Sequence, residues 1–198
     1  MAHPVHLHAA PRDSERHSDA PVWRTAREPG ALPASVSLAG WLTHEGSLTR
    51  RLRGCDAGPF EFEVVGEGWE PAPVDDRRRL GVDDADLYVR RVRMNVAGRP
   101  RISACTMAPA ATVTRHPWLT GLGTTPLWEA LAAQGDITRT DFEYAAIEAP
   151  AARPSLALRG LVEAGPGCWG RRSRFFVGDA PLLVYEFFLP ALGEIGSA

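Results

Sequence analysis

The chain of 198 residues contains no lysine, and all 22 of its basic residues are arginine. That absence excludes Schiff-base chemistry, a lysine general base and lysine-held pyridoxal phosphate. Cysteine is scarce: Cys55, Cys105 and Cys168 are too few for a disulfide framework and lack C-x-x-C spacing, which fits a reducing cytoplasm. No apolar run reaches the roughly 18 residues that a bilayer span needs. The start, Met1-Ala2-His3-Pro4-Val5-His6-Leu7-His8, lacks the apolar stretch of a secretory signal. An excess of positive charge is missing too. The 22 basic residues meet 24 acidic ones, for a net charge of −2, which argues against a polybasic nucleic-acid binder.

What is present suits one compact domain, since a chain of this size buries roughly 70% of the surface it exposes when unfolded. Residues 1–35 are rich in Pro, Ala, Arg, His, Asp and Ser and are expected to form a mobile leader, with the domain over 36–198. His3, His6 and His8 have no cysteine or carboxylate at ligand spacing, so no metal site is expected there.

From Leu38 the pattern changes. Leu38, Trp41 and Leu42 share a helical face, and Ser47 is placed to cap a second short helix carrying Leu48 and Leu52. Phe60, Phe62 and Val64 alternate with Glu61 and Glu63 as in a half-buried strand. Residues 66–86, with Gly66, Gly68, Pro71, Pro73 and the charge run Asp75 to Arg79, read as a solvated loop. Leu87 to Val96 and Arg101 to Met107 form a hairpin around Gly98. Thr125 is the expected N-cap, and Pro126 the first residue, of a helix that stops at Gly135. Phe142 to Ile147 suits a strand, and residues 149–168 show no clear pattern. Arg172 to Val177 and Leu182 to Leu189 form a second hairpin across Gly178-Asp179-Ala180-Pro181. Hairpin-linked strands with helices beside them predict an α+β domain on one antiparallel sheet.

Two charges sit on faces where period-two alternation expects apolar groups. Arg90 shares a strand face with Tyr88, Val92, Met94 and Val96. Glu186 is the one charge between Pro181 and Pro190, in a strand apolar on both faces. A lone ion there costs several kcal/mol unless paired. Two readings are open. Glu186 bonds a structural arginine such as Arg172, or Glu186 and Arg90 line the polar end of an enclosed pocket. In the second reading an arginine fork grips a carboxylate. A carboxylate in an apolar pocket has its pKa raised and exchanges a proton or bonds a hydroxyl. The matching ligand is a small, largely apolar acid with a carboxylate at one end and a hydroxyl at the other.

Four segments resemble, in order, those of one family. They are Gly46-Ser47-Leu48-Thr49-Arg50-Arg51-Leu52, then Val89-Arg90 with Gly98, then Leu122-Gly123-Thr124-Thr125-Pro126-Leu127, and finally Trp169-Gly170-Arg171-Arg172-Ser173 followed by Pro181 to Pro190. Together they resemble the chorismate pyruvate-lyases over roughly residues 37–190. The resemblance implies a single antiparallel sheet with two helix-turn flaps over a buried ligand. It implies elimination of pyruvate from chorismate to give 4-hydroxybenzoate, a ubiquinone precursor, by a cofactor-free cytoplasmic monomer. Carried over by residue, Arg90 binds the ring carboxylate and Glu186 sits by the ring hydroxyl, as the catalytic pair. Leu127 gives a main-chain contact to the ligand, and Leu48 a contact from a flap. The chain departs from the family pattern at Cys105, where an arginine is usual, and at Trp128, where glycine is usual. Cys105 reads as a small buried residue, His116 as loop packing, and His44 as a residue near the flap. A rival reading is a ligand-sensing domain of the same fold, as in one family of bacterial transcription regulators. Such regulators carry a winged-helix domain ahead of the sensor, and about 35 residues are too few for one.

Overall fold

The computed structural model describes residues 21–147, 157, 159 and 167–195. His3, His6, His8 and most of 149–168 lie outside the described residues. The strands are β1 (Arg24–Thr25), β2 (Phe60–Pro71), β3 (Asp86–Val96), β4 (Arg99–Ala108), β5 (Ile137–Arg139), β6 (Glu143–Ile147), β7 (Cys168–Val177) and β8 (Ala180–Phe188). The helices are α1 (Val36–Leu42), α2 (Leu48–Arg53), α3 (Val74–Leu80), α4 (Ala110–Arg115) and α5 (Leu127–Ala132), with 3-10 turns at Pro117–Gly121 and Pro190–Glu194. The strands form one antiparallel sheet in the order β1-β6-β7-β8-β4-β3-β2, with β5 also paired to β7. This is the expected α+β architecture.

β8 sits mid-sheet and is covered on both faces, as its sequence predicts. Leu183, Tyr185 and Phe187 join one core with Leu80 of α3, while Leu182, Val184 and Phe188 enter the cores beneath the other helices. Fully burying such a side chain is worth roughly 1.5–3 kcal/mol. The Ser47 cap forms as expected: its hydroxyl accepts from the Arg50 N–H at 3.1 Å, an interaction worth about 1 kcal/mol. The first hairpin turns at Ala97-Gly98, both at positive φ (53° and 71°), as a two-residue turn between right-twisting strands requires.

Three expectations fail for physical reasons. The supposed loop 66–86 holds the second half of β2 and all of α3. A bulge between Val64 and Gly66 keeps β2 paired to β3 down to Pro71, and it re-phases the strand so that Glu67 lies opposite Arg90. In α3 Asp76 and Leu80, four residues apart, are buried, while Arg78 is exposed and Arg77 and Arg79 are half-buried. Thr125 does not cap α5. Pro126 is the capping residue, Leu127 is the first helical residue, and the helix ends at Ala132. Packing also begins before residue 36. β1 pairs with β6, Ala31 is buried, and Trp23 stacks edge-on against Tyr185 with centroids 5.5 Å apart. Gly170 makes room for Trp23, since a Cβ there would lie 2.9 Å from the indole. β5, α4 and the Pro117–Gly121 turn were not expected from the sequence. Among the described residues no helix is long and apolar enough to cross a membrane.

Candidate active site

On the sheet face under α2 and α5 lies a pocket with about 70 Å³ open to water-sized molecules. That is room for several waters or a small ligand. Its floor is the sheet, and Val92, Met94, Ala104 and Val184 line it. Its walls come from Gly46, Leu48 and Thr49 at the start of α2, and from Pro126, Leu127, Trp128 and Leu131 of α5. All four residues singled out by sequence, Leu48, Arg90, Leu127 and Glu186, line this one pocket.

Arg90 is only 3% exposed. Its Nη2 donates to the carbonyls of Gly123 at 2.7 Å and Thr125 at 3.2 Å, which anchors it to the loop before α5. Its Nε lies 3.6 Å from the Glu67 carboxylate, beyond hydrogen-bond contact. Nε and Nη1 carry no hydrogen bond among the described residues. Burial holds its pKa below the usual arginine range, and Glu67 offsets part of that. A buried guanidinium so short of partners favours an anion in front of it.

Glu186 does not face Arg172. Counting outward from the two-residue turn Gly178-Asp179, the register sets Arg171 against Glu186 and Arg172 against Tyr185 on the other sheet face. Arg172 donates to Glu143 at 2.7 Å and stacks over Trp23 at 4.2 Å, so the structural pairing expected of it belongs to Arg171 instead. Arg171 is 2% exposed, and its Nε donates to Glu186 Oε2 at 2.5 Å. Its Nη1 donates to the carbonyls of Leu42 at 2.8 Å and His44 at 2.5 Å, which fastens the end of α1 to the site. The surroundings of Glu186 are therefore not the apolar ones expected. One oxygen is held by a cation, and Oε1 has no hydrogen bond among the described residues. A carboxylate held this way is a strong acceptor.

Sequence reasoning missed Arg171, Arg139 and Thr106, which also line the pocket. Strand register carried the signal for two of them. Arg171 opposes Glu186, and Thr106 opposes Arg90 across β3–β4. Arg139 sits on the unpredicted β5 and left no such mark. His44 contributes its carbonyl and does not line the pocket. Burial, Arg51 and Arg171 hold its imidazole below the usual histidine range. Cys105 packs in the core on the opposite sheet face, and burial pushes its thiol up to about 12, so it is no nucleophile. Trp128 packs edge-on against Phe175, with centroids 6.3 Å apart.

Known proteins resemble this chain in sequence and in fold. A family model described as chorismate lyase matches residues 19–194. A protein of Thiobacillus denitrificans named "Probable chorismate pyruvate-lyase" is 36% identical over 167 residues, covering 83% of this chain and 88% of that one. Another so named, from Azoarcus sp., is 37% identical over 166 residues, covering 80% and 87%. Among solved structures, the C-terminal domain of histidine utilization repressor from Pseudomonas syringae superposes with a TM-score of 0.50 at 14% identity, covering 67% of this chain and 93% of that one. At that identity the likeness shows the fold alone. The family match over most of the chain, with this level of identity to its relatives, shows that the chain belongs to the chorismate lyase family.

Proposed function

We propose that the protein removes pyruvate from chorismate and leaves 4-hydroxybenzoate, a precursor for ubiquinone or a related aromatic pathway. One observation carries this beyond family membership. A mainly apolar pocket holds, among its polar groups, a buried arginine and a carboxylate that each have an atom with no hydrogen bond among the described residues. Those are the complements of the carboxylate and the hydroxyl of 4-hydroxybenzoate.

The chemistry balances without a co-reactant. The ether carbon–oxygen bond breaks, and its electrons leave on the enolpyruvyl oxygen. The ring carbon bearing the hydroxyl loses its hydrogen as a proton, and the ring becomes aromatic. The proton ends on the methylene carbon of the leaving enol, which makes pyruvate. Aromatisation drives the reaction, so the protein's task is to hold a reactive pose and stabilise charge as the bond breaks. Arg90 grips the ring carboxylate in this proposal. Glu186 Oε1 accepts from the ring hydroxyl, and Arg171 fixes the carboxylate that does so. Leu127, as the first residue of a helix, has an N–H with no partner inside that helix and offers it to the ligand. Leu48 closes the pocket from the α2 side.

The test is to mix purified protein with chorismate and quantify 4-hydroxybenzoate and pyruvate. Equal amounts of both, above the uncatalysed background, are expected. Tight binding of 4-hydroxybenzoate with no turnover would instead make the domain a sensor.

A further inference from the structure

Three arginines line the pocket, and their commitments differ. Arg171 is committed through Nε to the Glu186 carboxylate and through Nη1 to two carbonyls. Arg90 is tied to two carbonyls beside Glu67. Arg139, the last residue of β5, lies with its guanidinium 3.9 Å over the Phe142 ring and 5.9 Å from that of Phe175. Its one hydrogen bond among the described residues is a long one, 3.5 Å from Nη1 to the Glu45 carbonyl. No carboxylate among the described residues lies within ion-pair distance of it. The aromatic face holds the fork in place and leaves its N–H edge free.

Its position is at the Glu186 end of the pocket. Phe142 carries Arg139 at 3.9 Å and Arg171, the partner of Glu186, at 4.1 Å. Arg139 also feels the charges of Arg171, Glu45 and Glu186.

We propose that Arg139 receives the second carboxylate of the substrate, the one on the enolpyruvyl side chain. This rests on the functional reading above and extends it. Chorismate carries its ring carboxylate and its hydroxyl at opposite ends of the ring, and the ether carbon is next to the hydroxyl carbon. With the ring carboxylate on Arg90 and the hydroxyl on Glu186, the side chain must hang at the Glu186 end. There Arg139 is the cation that no carboxylate pairs with among the described residues, whereas Arg171 is held by Glu186. The product has lost this carboxylate, so Arg139 separates substrate from product, whereas Arg90 serves both.

The experiment uses two stable ligands, 4-hydroxybenzoate and its 3-(1-carboxyethoxy) derivative, which restores a second carboxylate beside the hydroxyl. Their Kd values are measured by calorimetry for wild type, Arg139→Gln and Arg139→Lys. The glutamine variant is expected to weaken the dicarboxylate by about tenfold or more, as loss of a charged hydrogen bond does, and to change 4-hydroxybenzoate by less than about twofold. Lysine should restore part of the loss. KM for chorismate should rise in parallel. Equal weakening of both ligands, no weakening of the dicarboxylate, or no binding of it by the wild type would overturn the assignment. Absence of chorismate turnover by the wild type would overturn the functional reading alone, because the two Kd values still report on Arg139.

Discussion

Arg171 and Glu186 face each other across the β7–β8 hairpin, with Nε 2.5 Å from Oε2. This contact joins the fold to the chemistry. The same guanidinium holds the end of α1 through Leu42 and His44 and fixes the carboxylate that lines the pocket.

The pair should therefore be costly to break from one side. Arg171→Met removes the partner of a largely buried carboxylate and two carbonyl contacts, and should lower stability by about 3–5 kcal/mol. The double variant Arg171→Met/Glu186→Leu should recover much of that loss, because no lone charge remains. Urea denaturation of the three proteins measures the coupling. Additive losses would mean that the two residues act independently.

Much of this arrangement was legible in the sequence. Alternation alone placed Arg90 on the buried face of its strand and found Glu186 in a doubly covered one. The hairpins and the Ser47 cap are local signals, and they held. What failed depended on other parts of the chain. α3 looked like a solvated charge run because its buried side has only Asp76 and Leu80, and burial of Asp76 depends on a tyrosine 109 positions away. The partner of Glu186 was misplaced by one residue, and a one-residue slip changes the sheet face. Arg139 lay on a three-residue strand too short to show alternation.

Asp76 gives a pH prediction. It is buried against Tyr185, whose hydroxyl donates to it at 2.6 Å, while its other oxygen has no hydrogen-bond partner among the described residues. Burial raises its pKa above the ordinary value of 3.8, and the Tyr185 hydrogen bond and nearby arginines oppose that only in part. Between 3.8 and the raised folded value, the folded state binds more protons than the unfolded one. This group therefore makes stability fall as pH rises through that window. Asp76→Asn should remove that fall. Stability of the two proteins should be compared by denaturation between acid and neutral pH. Parallel curves would contradict the prediction.

Trp128 narrows the pocket wall where the family more often has glycine. Trp128→Gly removes its edge contact with Phe175, worth about 0.5–1.5 kcal/mol beyond area. Trp128 also lines the pocket, so its loss takes apolar contact from the ligand, and the inhibition constant of 4-hydroxybenzoate should rise by about 2- to 10-fold. If product release limits turnover, kcat should rise with it. An unchanged inhibition constant would remove Trp128 from the ligand wall.

The central claim is that chorismate is held and broken down between Arg90 and Glu186. Its most direct test is the initial rate of 4-hydroxybenzoate formation from chorismate by wild type and Arg90→Ala in one assay. The wild type should exceed the uncatalysed background. The variant should lose about 2–5 kcal/mol of kcat/KM, roughly 30-fold or more, because it removes one partner of a desolvated charge pair. No product from the wild type, or equal rates from the two proteins, would contradict the account.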